Sequence, residues 1–392
     1  MVNNIQLAEN SKCTGCTACY NACAKGAITM TSDEAGFRYP HINKDICVGC
    51  HACEKSCPVI NITQTNQCIS SYFLAQTRNK DYINKCASGG AFATIANYVI
   101  EKGGVVIGAA YDDNYNVRHI YAENPEELNP LLGSKYVQSE LGDLFKSIKS
   151  KLLENRLVCF SGTPCQVAGL KAYLGKSYDN LLTVDFLCHS IAAPRAFQLY
   201  KNKLAEKYGE IKDIRFKSKK YGYSFPSTEV TYLKGSSTKK VYLISQKDEY
   251  LYAFLHGKIS RNSCDNCYFR NNHRSDITMA DYYMTLPKGS KLQEEEGLSR
   301  VFVWNEKEKE LLNVIKSRMI VHEMNIEAAF VSADLENHST SKIDFGLLDS
   351  QDEKSFYKHF FVVPLKNRIL GDFRVVMQKL HLQKTIKHLL KR

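Results

Sequence analysis

Residues 13–23 read CTGCTACYNAC, and 34 positions later residues 47–58 read CVGCHACEKSCP. Both runs follow the spacing C-x2-C-x2-C-x3-C. Three cysteines at x2 intervals wrap one corner of a cubane iron–sulfur core. The small residues between them (Thr14, Gly15, Thr17 and Ala18; Val48, Gly49 and Ala52) let the backbone approach the sulfides. The fourth cysteine of each run points across to the other site. This spacing assigns Cys13, Cys16, Cys19 and Cys57 to one 4Fe–4S cluster, and Cys47, Cys50, Cys53 and Cys23 to a second. Zinc would ask for ligands in pairs, not for eight in two identical runs. The repetition implies duplication with pseudo-twofold symmetry. This end of the chain is expected to carry single electrons.

Over residues 1–66 the sequence resembles a bacterial-type two-cluster ferredoxin. Ala24 stands where a proline often follows the fourth cysteine, whereas Pro58 keeps it in the second run. That difference concerns a turn and leaves ligation intact. Short β-prone pieces at 28–30 and 38–42 suit the small hairpins of such a fold.

Fifteen cysteines in 392 residues set the chemistry for the rest of the chain. The opening MVNNIQLAENSK has no apolar core of a signal peptide. No apolar run reaches the ~18 residues of a spanning helix. The expectation is a cytoplasmic protein, where a reducing milieu favours metal or redox work over disulfides. The net charge of +11 is uneven. Residues 1–66 are neutral, with five basic and five acidic side chains, whereas 201–260 hold 13 basic and six acidic ones. A basic middle suits a small anionic organic ligand or substrate, although a solvated basic face explains it as well. Nucleic acid is not expected as a partner, since only charge speaks for it.

Beyond a polar stretch at 63–67, α/β units begin. CASGGAFATIANYVIEKGGVVIGAAYDD (86–113) reads as a cap at Ser88, a helix to about Lys102, a stop at Gly103 and Gly104, and a buried strand at 105–110. A helix opening on Ser88, Gly89 and Gly90 presents N–H groups to a phosphate. In LGSKYVQS (132–139), Lys135 and Tyr136 stand beside a glycine and serines. RLVCFSGTPCQVAGLKAYL (156–174) reads as a strand at 157–160, a tight turn at 161–164, then a helix from Cys165. The helix dipole at Cys165 favours a thiolate. LLTVDFLCHS (181–190) is a further buried strand ending on Cys188 and His189, where α/β folds place their chemistry. Neither a G-x-G-x-x-G after a strand nor a Walker loop is present.

SGGAF, GSKYVQS, FSGTPCQVAGL, VDFLCHS and RSDITMADYY (274–283) occur in the order found in one family. Over residues 1 to about 300 the chain resembles the beta subunit of coenzyme F-420 hydrogenase/dehydrogenase, in its form with an N-terminal two-cluster ferredoxin. CHS and DYY depart from a commoner Cys-His-Gly and Asp-Phe-Trp, which leaves the substrate open. The resemblance implies an FAD-dependent oxidoreductase with an additional 4Fe–4S cluster near the flavin. Relatives reduce the deazaflavin F-420, act on tetrapyrroles, or pass electrons within larger complexes, and bacterial fused members are associated with polysaccharide biosynthesis.

Guided by that resemblance, flavin phosphates are expected at Ser88, Gly89 and Gly90, at Lys135 with Tyr136, and at Ser161, Gly162 and Thr163. Seven cysteines remain outside the ferredoxin. Cys159 reads as a buried small hydrophobe, and Cys68 and Cys86 have no assigned role. Cys165, Cys188, Cys264 and Cys267 are expected to hold a third 4Fe–4S cluster, formed when the chain folds back. The alternative is a zinc or dithiol at Cys264 and Cys267 with an independent Cys165. IRFKSKKYGYSF (214–225) alternates cations and aromatics, as a ring-stacking surface or as a basic β-hairpin. Arg274, Asp276 and Asp281 are polar anchors of unassigned role. The tail from Arg374 to Arg392 adds six basic residues and no acid, and reads as a basic amphipathic helix. It is expected to pack on the body or a partner, with peripheral membrane contact the lesser alternative.

The reading is therefore an α+β multidomain protein: a ferredoxin domain (1–66), an α/β flavin-binding catalytic unit in two parts (67–165 and 166–335), and a C-terminal extension (336–392). Electrons would pass between a donor or acceptor protein, or a reduced cofactor, and a small substrate through clusters and FAD. A non-catalytic electron-transfer subunit is the alternative.

Overall fold

The computed structural model describes residues 5–63, 68–304, 309–326 and 361–379. The ferredoxin portion contains α1 (Ala18–Ala22), the antiparallel hairpin β1 (Ile28–Ser32) and β2 (Arg38–Ile42), and α2 (Ala52–Lys55). Its duplication is visible in the backbone. Gly15 and Thr17 have φ of 69° and 63°, and their counterparts Gly49 and His51 have 68° and 57°. Left-handed residues alternating with ordinary ones turn successive N–H groups toward one point, the concavity that anionic clusters occupy.

The following elements are β3 (Ser71–Thr77), α3 (Lys80–Lys85), α4 (Ala91–Glu101), β4 (Val105–Tyr111), β5 (Val117–Ala122), α5 (Pro125–Leu128) and α6 (Leu144–Leu153). Then come β6 (Val158–Ser161), α7 (Pro164–Leu174), β7 (Leu181–Phe186) and α8 (Pro194–Tyr208). A three-stranded antiparallel sheet, β8 (Glu210–Ser218), β9 (Ser227–Lys234) and β10 (Ser237–Ile244), precedes α9 (Glu249–Leu255). The chain returns through β11 (Ile277–Asp281), β12 (Ser299–Val303), α10 (Lys309–Arg318) and β13 (Met319–Glu323), and α11 spans Leu365–Lys379.

Eight strands form one mixed sheet in the order β13-β3-β12-β11-β7-β6-β4-β5. Strands β4, β6, β7 and β11 are parallel, and β3 shares their sense because both it and β11 run antiparallel to β12. Apolar runs such as VVIGAAY bury both faces, as strands covered on two sides require. Helices α4 and α10 cover one face through Ile95, Val99, Leu312 and Ile315. Helices α6 and α7 cover the other through Phe145, Ile148, Val167 and Leu170, and Cys16 and Ala18 of the ferredoxin join this second layer. Helix α7 runs across the boundary drawn at 165/166, and strands from both sides of it share the sheet.

One local expectation changes, the helix cap at Ser88. Helix α4 starts at Ala91 with Gly90 as its cap at φ 78°, so Ser88 lies outside the helix and its hydroxyl meets Ser299 Oγ at 3.0 Å. A side chain at Gly89 would meet the carbonyl oxygen of Ala75 at 2.3 Å, so the double glycine is demanded by close packing against the sheet. Segment 214–225 is the end of β8 and the turn toward β9, the hairpin alternative; Lys217 and Lys219 are turned inward, whereas Lys220 is exposed. Lys217 pairs with Asp281, and Lys219 Nζ donates to the carbonyls of Ile83, Ser88 and Glu296 at 2.8, 2.6 and 2.7 Å. Most of the basic tail, 380–392, lies outside the described residues; α11, which ends at Lys379, turns Leu365, Ile369, Phe373 and Val376 to solvent along one face. No helix among the described residues is long and apolar enough to cross a membrane.

Candidate functional site

The C-terminal ends of β3, β4, β6, β7 and β11 share one edge of the large sheet, the edge at which open α/β folds bind ligands. Two of these ends carry thiols. Strand β6 leads through the turn at 161–163 into α7, whose second residue is Cys165, and β7 runs out to Cys188 and His189. The loop before β11 folds back and adds Cys264 and Cys267. Cys165, Cys188, Cys264 and Cys267 line one cavity of about 390 Å³, partly open to solvent.

Burial pushes the Cys165 thiol up to about 12, with Cys267 and Cys264 adding repulsion. Burial, then Cys267, does the same to Cys264, again up to about 12. Cys188 is raised by burial and by the three other thiols, and Cys267 by burial. The thiolate expected at Cys165 from its helix dipole is therefore overruled by desolvation, so iron would have to displace protons on binding. Cations already stand by. Arg261 is fully buried and Arg270 is 5% exposed, both line the cavity, and neither forms an ion pair with a carboxylate among the described residues. Nε and Nη1 of Arg270 are buried without a hydrogen-bond partner, while Nη2 donates to the carbonyls of Cys264 and His189 at 2.7 and 3.1 Å. Two unpaired guanidinium groups against four thiols fit a four-thiolate metal cluster, whose net charge is roughly −2 when oxidised. Zinc would pull four sulfurs to roughly 4 Å from one another. Among the described residues no three His, Cys, Asp or Glu side chains converge on a single ion in that way.

A second cavity lies beside the first, lined by Cys13, Cys16, Cys19 and Cys57, the four cysteines that spacing grouped together. Thr14 lines both cavities, and its Oγ1 is buried without a partner. Helix α7 separates the two sites at close quarters, because a side chain at Gly169 would lie 2.8 Å from both Cβ and Sγ of Cys16. Gly169 follows Cys165 by one helical turn, so one face of α7 touches both sites. The other ferredoxin quartet is more open: Cys50 is exposed, Cys47 and Cys23 are half-buried, and Cys53 is buried with its thiol raised by desolvation.

Of the expected flavin-phosphate donors, most are committed elsewhere. Lys135 Nζ donates to the carbonyls of Pro130, Leu132 and Gly133, at 2.5, 2.8 and 3.4 Å. Burial lowers its ammonium to about 7, with Asp213 and Cys86 opposing that pull. In the turn at 161–163, Gly162 N–H donates to Val184 O and Thr163 N–H to Gln166 Oε1, while the Thr163 hydroxyl meets Cys165 Sγ at 3.1 Å. The first-turn N–H groups of α4, after Gly90, are the donors that helix geometry leaves over. Tyr136 packs its ring on Phe254 and Phe216, at 4.6 and 5.3 Å. Phe186, Tyr283 and Met284 are 42–44% exposed at the ends of β7 and β11, an apolar rim on the same edge.

The three anchors acquire structural roles. Asp276 accepts from Thr183 N–H and Oγ1 at 2.7 and 2.5 Å and pairs with Lys171, tying β7, β11 and α7 together. Arg274 holds Thr63 at the end of the ferredoxin portion. Asp281 holds Lys217 and Tyr223. Sequence reading passed over His119, which is buried neutral: desolvation lowers it to about 4, Nε2 donates to Ser161 O at 2.9 Å, and Nδ1 faces Ser139 Oγ at 2.7 Å. It also passed over Arg261 and Arg270, which carry no signal of burial in their own composition. Cys159 is fully buried in β6, as its apolar neighbours implied.

A duplicated cluster-binding domain packed on a mixed sheet with a further four-cysteine cavity defines an iron–sulfur electron-transfer protein. Comparison with known families agrees. Residues 12–61 match the 4Fe-4S dicluster domain. Residues 72–146 match the N-terminal part, and 155–329 the C-terminal part, of the coenzyme F420 hydrogenase/dehydrogenase beta subunit. Together these two matches span more than half of the chain, which belongs to the coenzyme F420 hydrogenase/dehydrogenase beta-subunit family and carries an iron–sulfur dicluster domain. Among solved structures, a chain of a xenon-derivatised F420-reducing NiFe hydrogenase complex from Methanosarcina barkeri aligns at 17% identity and TM-score 0.45, over 76% of this chain and 95% of that one. No curated protein matches.

Proposed function

We propose that this chain is an iron–sulfur flavoprotein oxidoreductase that conducts electrons between its ferredoxin portion and a small organic substrate or deazaflavin-type cofactor. The observation that carries the reading is convergence. Cysteines from α7, from the end of β7 and from the loop before β11 line one cavity, which shares Thr14 with the cavity of Cys13, Cys16, Cys19 and Cys57. The eight ferredoxin cysteines would hold two 4Fe–4S clusters, and Cys165, Cys188, Cys264 and Cys267 a third. FAD, when bound, would supply the conversion between single electrons and a hydride. The first turn of α4 is suited to its phosphates, and the apolar rim of Phe186, Tyr283 and Met284 to a planar ring. Around the open quartet, Ile46, Val48, Ile60 and Ile62 are 43–58% exposed, a surface suited to docking a protein donor or acceptor.

The commitment of Lys135 and of residues 161–163 to internal hydrogen bonds favours a second reading, a flavin-free subunit that serves a partner oxidoreductase. Anaerobic purification with metal and flavin counts tests both. About twelve irons and one FAD per chain support the first reading. About twelve irons without flavin absorption select the second. About eight irons with one zinc would remove the third cluster. Cys165→Ala with Cys267→Ala is expected to lower iron from about twelve to about eight while the ferredoxin signals persist.

A further inference from the structure

Arg261 lines the four-cysteine cavity and hydrogen-bonds to the backbone of the ferredoxin portion. Its Nε donates to Cys13 O at 2.8 Å and its Nη2 to Arg38 O at 3.0 Å, both in the ferredoxin portion, and its Nη1 donates to Gln138 Oε1 at 3.3 Å. The guanidinium lies 4.1 Å from the ring centroid of Tyr39 and 5.4 Å from that of Phe37. Its own backbone N–H donates to Ile191 O, and the side chain lines the four-cysteine cavity three residues before Cys264. The chain thus keeps a full positive charge at 0% exposure, with carbonyls and ring faces around it and no ion pair to a carboxylate among the described residues. Burying a charge without a counter-ion costs several kcal/mol, so something anionic has to stand close for the arrangement to persist. The only groups that both cavities offer for that purpose, among the described residues lining them, are their thiols. Arg270 differs: its side chain donates to the carbonyls of Cys264 and His189 and its backbone N–H to that of Cys267, all on the four-cysteine side.

We propose that Arg261 is a positioning residue for electron transfer, a buried cation shared by the inner ferredoxin cluster and the four-cysteine cluster that raises the reduction potentials of both and so keeps them matched. The proposal rests on the third-cluster reading. When one electron passes between the two sites, no bond forms or breaks; the donor site is oxidised and the acceptor reduced by that electron. A fixed charge beside both stabilises the added electron on either side, and a guanidinium buried as fully as that of Arg261 is only weakly screened by solvent. Arg270 acts on the four-cysteine site alone.

The test is a dithionite potentiometric titration of the anaerobic full-length holoprotein, followed by low-temperature EPR, with iron counted in each sample. Arg261→Gln is expected to move the midpoints of both the inner ferredoxin cluster and the four-cysteine cluster to lower potential, with the outer ferredoxin cluster much less affected. Arg261→Lys, which keeps the charge, is expected to leave both near wild type. Arg270→Gln is expected to lower only the four-cysteine midpoint. Because Arg261→Gln removes buried hydrogen bonds, Gln138→Glu serves as a second variant: it is isosteric, neutralises Arg261 in place, and is expected to lower the same two midpoints. Movement of only one midpoint in Arg261→Gln and Gln138→Glu, or of neither, overturns the shared charge. So does an equal shift in Arg261→Lys, which would trace the effect to hydrogen bonding. A wild-type count of about eight irons overturns the third-cluster reading and the sharing with it, whereas about twelve irons with unmoved midpoints overturns the shared charge alone.

Discussion

The two copies of the duplicated cysteine motif have the same spacing and the same alternating backbone, yet they occupy different surroundings. In the inner quartet, made of three cysteines of the first copy and Cys57 of the second, Cys13, Cys16 and Cys57 are buried, and Cys16 lies against Gly169 of α7. In the outer copy Cys50 is exposed, and Ile46 and Val48 beside it are 47% and 58% exposed. Duplication therefore set the chemistry twice, and packing on α6 and α7 separated the roles. A site that touches solvent can exchange electrons with a partner; one wedged against α7 is placed to exchange them with its ferredoxin neighbour and with what α7 carries.

The largest effect that would break this comparison is at Gly169. Gly169→Leu forces a side chain into Cys16, where overpacking of a tight core costs about 1–3 kcal/mol. The expected result is lower thermal stability together with selective loss of the inner cluster, read by iron content and EPR. Loss from the outer copy first would contradict the asymmetry.

Next is the pH response of the wall behind the four-cysteine cavity. Because His119 titrates near 4 in the folded chain and near 6.5 when unfolded, its stabilising contribution is complete above about pH 6.5 and is lost as pH falls through 4. The full span corresponds to about 3 kcal/mol. Denaturant midpoints measured between pH 7 and 4 should fall in the wild type and fall less in His119→Gln.

Thiol reactivity in the iron-free chain sharpens the contrast further. Burial raises Cys19 to about 12 and Cys16 well above the ordinary thiol range, so few inner thiolates exist at pH 7.5. Cys50, exposed, should react with iodoacetamide before either, as followed by peptide mass spectrometry. The same raised thiols stabilise the iron-free fold fully below about pH 8.5, and that contribution is lost as pH rises toward 12.

The smallest effect is expected at the outer rim. Val48→Ser should change stability by no more than about 0.5 kcal/mol, because the side chain is largely in solvent. A slower single-turnover reduction by a protein donor, with reduction by dithionite unchanged, would mark this rim as the docking surface.

Regular motifs were legible and distant partnerships were not. The hairpin at 38–42, the strand from 105 and the helix after 163 stand where local pattern put them, because short-range periodicity and turn residues carry that information. Local pattern failed at Ser88, whose capping role went to Gly90 because the turn had to fit under β3 and β12. It failed likewise at Lys135: a lysine among glycine and serines reads as an anion site, yet the fold turned it onto three carbonyls. Arg261 and Arg270 flank the C-x2-C segment at 264–267 in plain view. Nothing in the letters distinguishes a buried guanidinium from a solvated one; burial depends on Tyr39 and Gln138, more than a hundred residues away.

By itself the sequence determined the iron–sulfur dicluster domain, since ligands for a cubane must recur at spacings a short loop can wrap. It also determined the family, through motifs whose order no single fold requirement would produce. Only the tertiary structure decided which ferredoxin copy faces inward, that Cys165, Cys188, Cys264 and Cys267 line one cavity, and that two unpaired arginines stand beside it. Those relations join segments up to 248 positions apart, as between Cys13 and Arg261. Contacts of that range are created by how sheets and helices stack, and local spacing carries no record of them.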